Sequence, residues 1–202
     1  MLATIIRGIR QVSDADIILL ESTPTGEPMY PIYKTLGYNF PRVLMLDVID
    51  STLVEVDNPL PKPFAIPTFW VPNVILSSDY LITLAPLKVV RGQGYLSLMN
   101  SLSILPSSKY GSDANWNWSA LYELGIEKVV ADLYFTLPFD LGIIEANQKF
   151  IATDDFTHGE IIECGKVLIG EPYEVDCEAA DLFGIDVGYL DLIRYVKRNL
   201  NI

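Results

Sequence analysis

"YLITLAPLKVVRGQGYLSLMNSLSILP", Tyr80 to Pro106, is the stretch whose reading decides the fold. Its opening residues, 80 to 85, form a short apolar run bounded by polar residues, which reads as a buried strand. Lys88, Arg91, Gly92 and Gly94 follow as a basic glycine loop. From Gly94 to Leu105 the apolar residues Tyr95, Leu98, Met99, Leu102 and Leu105 recur at helical spacing, so the stretch reads as strand, loop, helix.

The same alternation extends outward in both directions. Towards the N-terminus, "LATIIRGIRQV" carries Leu2, Ile5, Ile6 and Ile9 on one helical face, and "ADIILLES" follows as a strand. "MYPIYKTLGY" reads as a short helix closed by Gly37, and "RVLMLDVID" as the next strand. Towards the C-terminus come a helix broken at Gly125, the strands "FDLGIIEA" and "KVLIG", and two closing helices. Val175, Ala179, Leu182 and Phe183 form the apolar face of the first, with Pro172 in its first turn; Tyr189, Ile193, Val196 and Leu200 point inward from the second. Strand and helix alternating in this way predict an α/β fold. Its central sheet is mainly parallel or mixed, with helices on both faces, as a three-layer sandwich.

At 202 residues the expectation is a single α/β domain spanning 1–202. Within it, 58–72 holds five of the thirteen prolines and reads as a crossing or edge segment, because proline donates nothing to a strand ladder. The polar run over 147–165 reads as a variable connection.

Half the residues are hydrophobic, which supports a large core. The formal net charge of −12 opposes broad contact with a phosphate backbone, so no nucleic-acid partner is expected. No apolar stretch is long enough to span a membrane, and no basic-then-apolar leader opens the chain, so a cytoplasmic location is the expectation. Cys164 and Cys177 match neither a zinc spacing nor a disulfide framework and read as buried thiols. No cofactor can be named.

In an open parallel sheet, ligands bind beyond the carboxyl ends of the strands. Four loops, 22–28, 88–94, 147–159 and 170–172, are expected there on one rim. Lys88 and Arg91 on the second loop, with helix-terminal N–H groups, would suit a carboxylate or phosphate. A plain strand–helix turn is the bland alternative, and a dinucleotide loop fits poorly because Ser97 stands where a third glycine belongs. Asn100 in mid-helix is exposed, held in a network, or functional. Glu145 ends an apolar strand, where a working carboxylate often sits. Asp176 either caps a neighbouring element or projects towards the rim. His158, the only histidine, is a surface residue or, with Asp154, Asp155 and Glu160, a weak metal candidate.

The order "SSDYLITLAPLKVV…LSLMNSLSILP", "FDLGIIEA" and "KVLIGEPYEVDCEAADLFGI" resembles the family known as domain of unknown function 362. The likeness runs from about Asp14 to Leu192 and is most specific in its last block. It implies that Lys88, Asn100, Glu145 and Asp176 fall on the family's site positions. Val90 stands where the family has histidine, Met99 where it has lysine, and Glu171-Pro172 stands for Asp-Pro with one residue missing. The iron–sulfur label carried by many relatives does not transfer, since two distant cysteines cannot hold such a cluster.

Two functions follow as expectations. In the first, a small anionic metabolite binds at the strand ends, with Lys88, Arg91, Asn100, Glu145 and Asp176 as ligand-binding residues. In the second, the chain is a non-catalytic scaffold or interaction module, in which Trp116 and Trp118 anchor a partner or a homo-oligomer.

Overall fold

The computed structural model describes residues 1–111, 118–153 and 158–200. In chain order the elements are α1 (Leu2–Val12), β1 (Ile17–Glu21), α2 (Met29–Thr35), β2 (Val43–Asp47), β3 (Leu53–Asp57), β4 (Thr68–Pro72) and α3 (Asn73–Leu76). They continue with β5 (Ile82–Val90), β6 (Gln93–Tyr95), α4 (Ser97–Asn100), α5 (Ser107–Tyr110), α6 (Ser119–Glu123) and α7 (Ile126–Thr136). β7 (Leu141–Ala152), β8 (Glu160–Gly170), α8 (Pro172–Phe183) and α9 (Gly188–Leu200) complete the chain. The fold is mixed helix and strand, with sheets of mixed orientation.

The chain comprises two compact units. The first comprises Met1–Glu55, Trp70–Ser77 and Ser103–Glu123. The second comprises Val56–Phe69, Ser78–Leu102 and Leu124–Ile202. In the first unit β1 and β2 pair in parallel, Ile17 beside Val43 through Glu21 beside Asp47. Asp47 is buried at the end of β2 and accepts the backbone N–H groups of Met29 and Ile49, which ties the start of α2 to the strand end. Trp118 is buried and its indole N–H donates to the Leu105 carbonyl at 3.2 Å, so it covers this unit's core and is not free to anchor a partner. Trp116 lies outside the described residues.

The second unit is built on a four-stranded sheet in the order β6-β5-β7-β8. β5 runs parallel to β7, while β6 and β8 are antiparallel to their neighbours. Two expectations are corrected here. Arg91 and Gly92, both at positive φ (53° and 78°), form a two-residue hairpin turn that folds β6 back on β5. The helix expected from Gly94 to Leu105 therefore shrinks to α4 and a following 3-10 turn, although Leu98, Met99, Leu102 and Leu105 are all buried. The connection expected over 147–165 is likewise mostly strand. β7 runs on to Ala152 and β8 begins at Glu160, with register shifts beside Asn147 absorbing the irregular sequence.

The Pro-rich segment 58–72 ends in β4 (Thr68–Pro72). Within the second unit it is held by Asp132 of α7, whose buried carboxylate accepts the N–H groups of Phe64, Ala65 and Ile66 at 2.7–2.9 Å. α8 and α9 begin where the sequence places them. The Glu171 side chain caps α8 by accepting from the Glu174 N–H, and the Glu127 carboxylate accepts the Gly188 N–H at the start of α9. Leu182 and Leu200, expected inside, are exposed.

Candidate functional site

All five expected site residues belong to the second unit, so their arrangement is read from one sheet. The antiparallel pairing of β7 and β8 sets it. Gly142 pairs with Gly170, so the segment 170–172 lies beside the start of β7, while the Arg91-Gly92 turn lies beside its end, where the Arg91 N–H reaches the Ala152 carbonyl at 2.9 Å. The loops 88–94 and 170–172 are therefore at opposite ends of the sheet. Eight strand steps lead from the Thr83–Gly142 pair to Arg91, which at strand rise is roughly 25 Å. The single rim expected from a parallel sheet is corrected by one antiparallel strand.

Asp176 stands at the far end from Arg91. Its carboxylate is fully buried and accepts four hydrogen bonds: the Ser97 N–H (2.9 Å) and hydroxyl (2.6 Å) on Oδ1, the Leu98 N–H (2.9 Å) and the Tyr189 hydroxyl (2.7 Å) on Oδ2. Ser97 and Leu98 open α4, so Asp176 supplies from α8 the side-chain cap that Leu96, at α4's own N-cap, does not. Burial pushes the Asp176 carboxyl up to about 6, with the bonds from Ser97, Leu98 and Tyr189 pulling against it. The Tyr189 hydroxyl is pushed well up as well, by burial first and then by the Asp176 charge.

Glu145 is on the other side of the sheet. A Cβ on Gly142 would meet Ser97 Oγ and Val175 Cγ1 at 2.8 Å and Pro172 Cα at 2.9 Å, so position 142 faces α4 and α8. β7 keeps unbroken register with both neighbours from 142 to 145, and alternate residues face opposite ways, so Glu145 points away from those helices. Alternation along β5 gives Lys88 the same half-exposed face as Glu145: Thr83, Ala85 and Leu87 are buried on the helix side. Ile143 and Leu84 share that second face. Asn100 belongs to neither group, because its side-chain amide donates to the Leu84 carbonyl at 3.1 Å and satisfies a backbone acceptor of β5. The structure thus pairs Lys88 with Glu145 by face, and separates both from Asp176 and Asn100.

Other polar groups of this unit are also engaged with each other. Lys197 lies over the Tyr173 ring (4.3 Å) and donates to the Tyr134 hydroxyl (3.1 Å), which donates to Glu171. A shallow depression on α8 is lined by Glu174, Cys177, Glu178, Asp181 and Leu182, a lining that repels anions. Cys164 and Cys177 are free and half-buried, and burial pushes the Cys177 thiol up. Among the described residues, no cluster of three or more His, Cys, Asp or Glu side chains could hold a metal ion, and no helix is long and apolar enough to cross a membrane. His158 is exposed; Asp154 and Asp155 lie outside the described residues.

Reasoning from the sequence missed a different feature. β8 is the terminal strand of the four-stranded sheet and eleven residues long, yet Ile161, Val167 and Ile169 are 59%, 42% and 62% exposed. The apolar, β-branched residues of "EIIECGKVLIG" were its only signal, and half of that stretch reads as connection.

No protein-family model matches the chain. No curated protein matches it.

Proposed function

We propose that the chain is a non-catalytic interaction module whose working surface is the outer edge of β8. One observation carries this reading: a long edge strand presents apolar β-branched side chains to solvent, where edge strands are usually short, charged or covered. Such an edge accepts another extended segment by main-chain hydrogen bonding, with alternate side chains setting specificity. The dispersal of the expected site supports the same conclusion, since Asp176 and Asn100 both satisfy backbone groups of α4 and β5. The likeness to domain of unknown function 362 fits a chain that keeps that family's fold without its chemistry. A cytoplasmic location belongs to the proposal too. So does a three-layer sandwich, in which α4 and α8 supply one layer.

The alternative, a small anionic ligand held by Lys88 and Arg91, has less support, because Asp176 and Asn100, expected to complete its pocket, are engaged with backbone groups elsewhere. Selection of extended peptides from a random display library on the immobilised protein separates the two. Strand-like peptides that bind the parent and are lost on Val167→Arg are expected. No enriched peptide, together with a rise in Tm on adding phosphate or dicarboxylates that Lys88→Ala abolishes, would overturn the proposal.

A further inference from the structure

Which segment fits the β8 edge can be asked of β8 itself. Resting on the interaction-module reading, we propose that the occupant is β8 of a second copy of this chain, paired antiparallel about a two-fold axis at Cys164–Gly165.

The register follows from the irregularity in the strand. Gln148 pairs with Glu163 and Ala146 with Lys166, so two residues of β8, Cys164 and Gly165, oppose the single residue Asn147 of β7. Gly165 adopts the left-handed conformation (φ 63°) that such a bulge requires. Because the extra residue restores phase, Glu163 and Lys166 project from the same face of the sheet; the Gln148 amide donating to Glu163 marks that face. Ile162 and Val167 then share the other face. In an antiparallel two-fold pair centred on the bulge, Glu163 stands opposite Lys166 of the second copy and Lys166 opposite its Glu163. Ile162 stands opposite Val167 in the same way, again twice.

Both kinds of cross-strand pair are stabilising, and all four residues are exposed. The neighbouring registers are penalised. Sliding the axis one pair towards the C-terminus sets Lys166 against Lys166, and sliding it the other way sets Glu163 against Glu163. Charge complementarity thus selects one register, and the apolar pairs agree with it. Gly165, lacking a side chain, leaves room where the two bulges meet.

The test is sedimentation equilibrium over a wide concentration range for the parent, Glu163→Lys, Lys166→Glu and the double exchange Glu163→Lys, Lys166→Glu. The parent is expected to dimerise. Each single reversal turns two attractive pairs repulsive and is expected to weaken the dimer roughly tenfold or more, and the double exchange to restore it. In a Cys177→Ser background, mild oxidation is expected to link Cys164 to Cys164 across the axis in the parent and the double exchange, and poorly in the single variants. A dimer indifferent to these charges would overturn the inference. So would a parent that is monomeric at every concentration; if strand-like peptides still bind it and are lost on Val167→Arg, the interaction-module reading stands without self-association.

Discussion

Replacing Asp176 by asparagine isolates what the buried carboxylate does, through the sign of a pH dependence. Each carboxylate oxygen accepts one backbone N–H and one hydroxyl. The hydroxyls of Ser97 and Tyr189 can turn to accept, but a backbone N–H cannot. In either orientation, the asparagine amide nitrogen faces the N–H of Ser97 or of Leu98 and leaves it unpaired, a cost of about 1–3 kcal/mol. Against this stands the desolvation of the charge. With the folded carboxyl at about 6 and its ordinary value at 3.8, the folded state holds the proton more tightly. Asp176 then makes stability fall as pH rises through that window, by about 3 kcal/mol in full. Roughly 1.4 kcal/mol of that lies between pH 5 and pH 8. The expected outcome is that Asp176→Asn destabilises most at pH 5, and that its deficit shrinks by about 1–1.5 kcal/mol at pH 8. Urea unfolding of both proteins at half-unit steps measures it. A deficit that stays constant or widens with pH would refute the reasoning, showing that the four donors outweigh burial and hold the carboxyl at or below its ordinary value.

Three further outcomes follow from the packing. Gly142→Ala drives a methyl to within 2.9 Å of the Pro172 backbone and 2.8 Å of Ser97 Oγ, and should cost about 1–3 kcal/mol in urea unfolding. Asp132→Asn leaves at least one of the N–H groups of Phe64, Ala65 and Ile66 without an acceptor, so a loss of about 1–3 kcal/mol should come with faster amide exchange over 64–66. Gly92→Ala has open space around the new methyl but keeps φ at 78°, so its loss of about 1 kcal/mol should reflect backbone strain alone.

Helices and strands whose apolar spacing is long and regular were legible in the sequence: α1, α8 and α9 start where periodicity puts them, α8 with Pro172 in its first turn. The stretch around Gly92 was misread because buried residues in quick succession look helical whichever element carries them. The decisive fact, that Arg91 takes positive φ beside Gly92, is a backbone state that composition only hints at. The candidate site residues lie apart for a topological reason. Glu145, Asp176 and Arg91 converge only if every strand is parallel, and strand direction depends on pairing partners far along the chain. Asp132 reads as an ordinary charge and Asp176 as either a cap or a rim residue, since the N–H groups they satisfy come from segments 66 and 78 residues away.

The central claim, that β8 and not the Lys88–Arg91 segment is the working surface, is tested most directly by amide hydrogen exchange at low and high protein concentration, with and without phosphate. The account predicts that exchange over 160–170 slows at high concentration while 88–94 is unmoved by phosphate. Exchange in β8 that ignores concentration, with protection appearing instead at 88–94 on adding phosphate, would contradict it.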